Sequence, residues 1–307
     1  MAWTYTTPTG HLLHKIPGCY SLYNGVNNYG FIDNGDNTAV LGCMENGLPL
    51  VIHPSDCPHL LIAGTTGSGK SVLMNDIILS LLYSTEPVKT KMIFIDPKGI
   101  EFQPYHDMPQ IFNESIVTST NGAVSVLNRL CSEMNLRYQY LLQKSNNENR
   151  TICSIEPCQN FPRVYVFIDE LADLMLTNRK EIETPLVKLA QKGRAADIHL
   201  IIATQRPTVN VVTGLLKANI PARVALTCAS SKDSITILDH GGAEKLRGKG
   251  DAIYKPGNAV DEIHFQSCYT SDEDIDSVCN YIRSIVPYEY SHPKEEKKSW
   301  WKTFLGI

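Results

Sequence analysis

Residues Gly64-Thr65-Thr66-Gly67-Ser68-Gly69-Lys70-Ser71 follow the spacing G-x-x-x-x-G-K-S. The chemistry that pattern serves is holding a polyphosphate. Glycines let the backbone curl until successive N–H groups face phosphate oxygens, and a helix starting at the loop's end adds partial positive charge. Lys70 is placed to reach the β- and γ-phosphates of ATP, and Ser71 to ligate Mg2+. A glycine-rich turn of no function would not need a strand before it and a helix after it. Here the apolar run His59–Ala63 precedes the loop, and a helical pattern follows.

A second chemical element is Arg163-Val164-Tyr165-Val166-Phe167-Ile168-Asp169-Glu170, an apolar run ending in two carboxylates. Asp169 would hold the Mg2+ shell, and Glu170 would orient or deprotonate an attacking water. A kinase delivering phosphate to a small molecule has no need of a carboxylate there, whereas a hydrolase does. The plainer alternative is that Glu170 only caps the next helix. A third apolar run, Leu200–Ala203, ends in Thr204-Gln205. Gln205 would emerge beside the γ-phosphate and could sense it.

These groups need a scaffold that brings strand ends together. Apolar strand-like runs at His59–Ala63, Met92–Ile95, Val164–Ile168, Leu200–Ala203 and Arg223–Thr227 alternate with helical patterns, including one over Leu127–Leu142. Such alternation predicts βαβ units, an α/β fold and a mostly parallel sheet. After the phosphate loop, Leu73, Ile77 and Leu81 lie on one helical line and Met74, Ile78 and Leu82 on the next, a wide face for packing on that sheet. Ser271 and Asp274 form a capping-box-like start for a helix running to about Ile285. Residues 1–50, with turn signals at Asn24-Gly25 and Asn34-Gly35, read as a small β-rich lead-in, 51–286 as the main domain, and 287–307 as a charged and aromatic tail. Ser145–Asn149 reads as a polar loop.

Composition narrows the setting. The chain has 307 residues, 43% of them hydrophobic and 20% charged, which is the balance of a folded protein. No run of about 18 apolar residues occurs, so no membrane span is expected. The nine cysteines include no C-x-x-C pair, which argues against a zinc knuckle and for free thiols in the cytoplasm. Net charge is −4, so any nucleic-acid contact must use a local patch. Residues 192–249 supply one: nine Lys and Arg stand against four Asp and Glu, a net +5.

The motifs resemble one family. His59 to Ser71, Ile95-Asp96-Pro97-Lys98, Asp169 to Met175, Ala190 to Leu200, Ala203-Thr204-Gln205-Arg206-Pro207, Val212 to Pro221, Thr236-Ile237-Leu238-Asp239, and Gly248-Lys249-Gly250-Asp251 are similar to the motor domain of the FtsK/SpoIIIE family. The resemblance covers about residues 40–285. It implies a RecA-like P-loop ATPase with ATP and Mg2+, a homo-hexameric ring, and double-stranded DNA passing through its channel. Arg194 matches the arginine finger that completes a neighbour's ATP site; an Arg lying over a helix is the alternative. Arg206 and Lys217 match DNA-facing positions. Lys232 and Lys249 join them as candidates within the basic segment. Expected to be missing are the family's N-terminal membrane domain and C-terminal winged helix. The second reading is a related ring ATPase that drives protein export.

Some positions depart from the pattern. Ile235 stands where the family usually has Arg, and Gly193 and Asp197 where Ala and Gly are usual. In the tail, Trp300 and Phe304 lie four apart, as do Trp301 and Leu305, behind the charged run Lys294–Lys298. Three readings stay open: folding back on the motor, docking a protein partner, or shallow attachment to a membrane surface. Removal of residues 294–307 separates them. Loss of thermal stability marks a folded-back tail, and loss of assembly or localisation at unchanged stability marks a docking element.

Overall fold

In the strands that carry the candidate site, odd and even residues belong to two different cores. Leu60, Ile62, Phe94, Phe167, Ile201 and Ala203 pack on one face of the sheet, and Leu61, Ile95, Val166, Ile168, Leu200 and Ile202 on the other. Strands buried on both faces read as unbroken apolar runs, which is why they stand out in the sequence. The computed structural model describes residues 4–6, 12–14, 38–53, 56–87, 89–112, 116–144, 151–155, 160–257 and 261–285. The expected polar loop at 145–149 and the tail at 287–307 lie outside the described residues, as does most of the lead-in.

In chain order the elements are β1 (Thr4–Thr6), β2 (Leu12–His14), β3 (Ala39–Met44), β4 (Pro49–Ile52), β5 (His59–Ala63), α1 (Lys70–Ser84), β6 (Thr90–Ile95), α2 (Thr120–Lys144), α3 (Ile152–Ile155), β7 (Arg163–Ile168), α4 (Leu171–Lys192), β8 (Ile198–Thr204), α5 (Gly214–Asn219), β9 (Ala222–Leu226), α6 (Ser231–Leu238), β10 (Asp251–Lys255), β11 (Ile263–Ser267) and α7 (Asp272–Ile285). β1 and β2 pair with each other. The remaining strands form one sheet in the order β4-β3-β11-β10-β9-β5-β8-β7-β6. From β6 through β7, β8 and β5 to β9 all pairings are parallel. From β9 outward through β10, β11, β3 and β4 all are antiparallel. β3 and part of β4 precede residue 51, so the segment set apart in sequence as a lead-in contributes to the main sheet.

The two layers of helices fix the sheet's ends. On one face Leu73, Met74, Ile77, Ile78, Leu81 and Leu82 of α1 are all buried, with Ile275, Val278, Cys279 and Ile282 of α7 in the same core. Each such side chain contributes roughly 1.5–3 kcal/mol of burial, so the N-terminus of α1 is firmly fixed. On the other face α2, α4 and α5 share the second core. α2 begins earlier than Leu127 because Ser119 caps it: the Gly122 N–H donates to Ser119 Oγ at 3.1 Å. The Ser271 cap of α7 is formed, with Ser271 N–H donating to Asp274 Oδ2 at 3.0 Å and Asp274 N–H to Ser271 Oγ at 3.2 Å.

One buried carboxyl joins the two helices of the first layer. Asp76 of α1 accepts a short hydrogen bond from the Thr270 hydroxyl, just before α7, while its Oδ2 is buried with no partner. Burial raises its pKa to about 7, against the smaller lowering effect of Thr270. In the unfolded chain the same group titrates near 3.9. The folded protein therefore holds a proton that the unfolded chain releases, and stability falls as pH rises from about 4 to about 7, by at most about 1.4 kcal/mol per pH unit. Asp76→Asn is expected to remove that slope, read from urea unfolding midpoints at pH 5 and pH 8. An unchanged difference between the two pH values would mean that Asp76 is ionised in the fold.

Candidate active site

The loop after β5 is pinned to both strands that flank β5. Gly64 N–H donates to Thr204 O of β8 at 3.3 Å, and Thr65 N–H to Thr227 O, just past β9, at 2.9 Å. The Thr65 hydroxyl reaches the same Thr227 carbonyl at 3.0 Å. Gly69 then caps α1 with φ of 104°, and a Cβ there would sit 2.6 Å from Gly250 N. That close approach is held by Gly250 N–H donating to Ser68 O at 2.7 Å. Only glycine satisfies both the left-handed backbone and the contact. The turn Gly248-Lys249-Gly250, with φ values of 82°, 52° and 91°, thus lies against the phosphate loop.

Strand order brings the chemistry together. β8 lies between β5 and β7, so Gln205 emerges between the phosphate loop and the two carboxylates, at the carboxyl edge where ligands bind in such sheets. The buried Lys70 ammonium donates to Asp169 Oδ1 at 2.6 Å and to the Asp169 carbonyl at 2.9 Å. Asp169 Oδ2 is buried with no hydrogen-bond partner. A buried carboxylate oxygen with an unused lone pair fits a residue that would help to hold Mg2+, together with the Ser71 hydroxyl. Among the described residues no group of three or more His, Cys, Asp or Glu could hold a metal alone. The ion would therefore take its other ligands from phosphate and water, as Mg2+ commonly does.

Glu170 caps α4, its side chain accepting from Ala172 N–H at 3.2 Å. It does more than that. Oε1 also accepts from the Thr204 hydroxyl at 2.7 Å, and Oε2 from Gln205 N–H at 2.9 Å. The Gln205 side chain turns the other way and accepts from the Thr66 hydroxyl at 2.7 Å. Lys70, Ser71, Asp169, Glu170 and Gln205 therefore form one constellation with Gly64 to Ser68.

Arg194 does not join it. It is exposed on the turn between α4 and β8, at the opposite end of β8 from Gln205. Seven strand residues at about 3.3 Å each separate these edges by about 20 Å, beyond the reach of any arginine. The turn is tightly held. Fully buried Arg137 donates to Ala196 O at 2.7 Å and Pro162 O at 2.8 Å, Tyr138 OH donates to Lys192 O at 2.9 Å, and Ile152 N–H to Ala195 O at 2.9 Å. Two of the three departures from the family pattern, Gly193 and Asp197, sit here. Asp197 has φ of 56°, a position that suits glycine, and its carboxylate accepts from Arg163 Nε at 2.8 Å, His199 Nε2 at 2.9 Å and Cys153. Burial works against the charge, but the His199 and Arg163 contacts hold the carboxyl well below the usual range. At Gly193 a Cβ would meet Ile198 O at 2.5 Å and His59 Cε1 at 3.0 Å.

The basic residues separate into groups. Arg206 is exposed at the head of the loop after β8, and Lys232 is exposed on α6. Lys217 is committed: it pairs with Asp239 at 3.0 Å, which also takes Arg223 at 2.7 Å and Lys255 at 3.1 Å. Those hydrogen bonds outweigh burial and keep Asp239 well below the ordinary carboxylate range. Arg247 pairs with Asp251 at 2.9 Å. Asp251 lies just outside residues 192–249, so the Arg247 pair offsets one unit of the segment's +5, whereas Asp239 is already counted in it. Lys249 is exposed, but its turn packs on the phosphate loop, a placement that motif spacing did not reveal. Ile235, in the place of the family's Arg, is exposed on α6.

Comparison with known proteins gives the family and the fold. The chain is 41% identical over 263 residues to the DNA translocase SftA of Bacillus subtilis, covering 84% of this chain and 28% of that protein. It is 43% identical over 242 residues to the DNA translocase FtsK of Caldanaerobacter subterraneus, covering 79% of this chain and 34% of that protein. The chain thus spans about a third of the length of these relatives. Among solved structures, the pCW3 conjugation coupling protein TcpA, with ATPγS, superposes with a TM-score of 0.72 at 28% identity, over 83% of this chain and 72% of that one. The cytoplasmic domain of the type VII secretion ATPase EccC of Thermomonospora curvata shares the fold, with a TM-score of 0.69 at 21% identity over 82% of this chain and 32% of that one. Residues 33–152 and 148–209 match the FtsK/SpoIIIE family, and the chain belongs to it.

Proposed function

We propose that this chain is an ATP-driven motor that moves double-stranded DNA through a ring of six copies in the cytoplasm. The observation that carries the reading is the constellation at one sheet edge. Lys70 and Asp169 are joined at 2.6 Å, Asp169 Oδ2 is unused, and Glu170 stands next in line beside Gln205. In that arrangement the glycine loop and the N-terminus of α1 bind the phosphates, and Lys70 exchanges its Asp169 contact for phosphate oxygen. Ser71 and Asp169 would hold Mg2+, which when bound would supply charge to offset that of the phosphates. Glu170 orients the attacking water and takes its proton, and Gln205 reports on the γ-phosphate. The deciding experiment is ATP turnover with and without duplex DNA. Strong stimulation supports a DNA motor; turnover indifferent to DNA would favour a protein-export ATPase of the same fold.

Within this proposal Arg206 and Lys217 grip the phosphate backbone, a contact that carries no sequence information. Arg206→Ala is expected to weaken duplex binding on every sequence alike and to reduce the salt slope by about 1. Lys217→Ala should do less, because Asp239 already neutralises that ammonium. Fluorescence anisotropy on unrelated duplexes at two salt concentrations checks both. A loss confined to one sequence would mean base readout and would contradict a channel contact.

A further inference from the structure

Three consecutive residues at the end of β8 face three different partners. Thr204, fully buried, donates its hydroxyl to Glu170 Oε1 at 2.7 Å and accepts from Arg206 N–H at 3.1 Å. Gln205 uses its side chain on Thr66 of the phosphate loop and its N–H on Glu170. Arg206 is exposed and heads the loop. The polarity of the Thr204 link is fixed. An ionised carboxylate can only accept and an N–H can only donate, so the hydroxyl between them has a single orientation. The link is also stiff. Pro207 restricts Arg206 to extended backbone, and Thr208 N–H donates back to Arg206 O at 2.8 Å. A shift of Arg206 therefore reaches its own N–H and, through one hydroxyl, the carboxylate.

Three donors converge on that carboxylate, all of them reaching Oε1. Oε1 receives Ala172 N–H, the Thr204 hydroxyl and Gln205 N–H, and Oε2 receives Gln205 N–H. Donors so placed hold Glu170 toward β8, and orienting a water over the γ-phosphate competes with them. We propose that Thr204 is a positioning residue that restrains Glu170 until duplex DNA engages Arg206, so that DNA contact releases the water-orienting carboxylate. The inference rests on the motor reading above and adds to it the route by which DNA stimulates hydrolysis.

The test measures ATP turnover of the wild type, Thr204→Val and Thr204→Ser, each without DNA and at saturating duplex. Valine keeps the shape and removes the hydroxyl; serine keeps the hydroxyl. Thr204→Val is expected to raise the DNA-free rate about 10-fold or more, the worth of one hydrogen bond to a charged group, and to bring the stimulation ratio close to one. Thr204→Ser is expected to keep the wild-type ratio. If Thr204→Val does not fold by thermal melting, Thr204→Ala replaces it, with the same expectation. A hydroxyl-free variant that keeps the wild-type ratio, or whose two rates fall in equal proportion, overturns the inference and leaves a merely structural threonine. The two readings fail separately. A wild type indifferent to DNA sinks the motor reading, whereas the DNA-free rate of the variant still decides whether Thr204 restrains Glu170.

Discussion

Glu170→Gln should bind ATP and Mg2+ as tightly as the wild type yet hydrolyse it about 10²–10⁴-fold more slowly. Glutamine keeps the acceptor oxygen that receives Ala172 N–H, the Thr204 hydroxyl and, at 3.2 Å, Gln205 N–H, so the cap of α4 is kept while the shorter Gln205 N–H bond to Oε2 is lost. What is lost is the group that takes the proton. Lys70→Ala acts at a different step. In the proposed site its ammonium binds phosphate, so its removal should weaken nucleotide binding by about 10–100-fold, the range of a hydrogen bond between charged groups. It also leaves buried Asp169 without its 2.6 Å partner, which adds a cost in stability that Glu170→Gln does not have. Binding of a fluorescent nucleotide beside turnover separates the two. Normal turnover in Glu170→Gln would reduce Glu170 to a helix cap and assign the water to another group.

The parts of this site legible in the sequence are those whose signal is local. The phosphate loop is continuous, and Asp169, Glu170 and Gln205 each follow an apolar run whose direction is fixed by being parallel and buried on both faces. Resemblance added Arg194 and Arg206, which no local pattern marks. Other features arise only from tertiary contact. β10 and β11 are short and half-buried, with alternation that is weak beside the apolar runs of the parallel strands, so neither they nor the turn on Gly69 could be read in advance. The charge count over 192–249 could not show how its charges pair: Asp239 collects Lys217, Arg223 and Lys255 from three separate elements, and Arg247 pairs with Asp251 just outside the segment. Asp197 was visible only as a departure from a pattern. The structure supplies its cause, a left-handed residue that gains Arg163 and His199 as partners.

Arg194→Ala should abolish steady-state turnover, by about 10³–10⁵-fold if it acts as other arginine fingers do, with nucleotide binding nearly unchanged. Geometry makes this a statement about assembly. Arg194 and its own Glu170 lie at opposite ends of α4, a helix of 22 residues that spans about 30 Å even with its break at Asn178. Its guanidinium cannot reach its own subunit's site, so a role at an ATP site requires another copy, and Arg137, Tyr138 and Ile152 hold the backbone of the turn that carries it. Two inactive proteins should therefore repair each other. Arg194→Ala subunits keep Glu170, and Glu170→Gln subunits keep Arg194. In rings formed from an equal mixture, about a quarter of the head-to-tail interfaces carry both intact groups. Turnover of the mixture above that of either parent is the expected result. It should appear only at concentrations where light scattering shows assembly. A mixture that assembles and stays as inactive as its parents would show that Arg194 completes no neighbour's site, and its tightly held turn would then need another explanation.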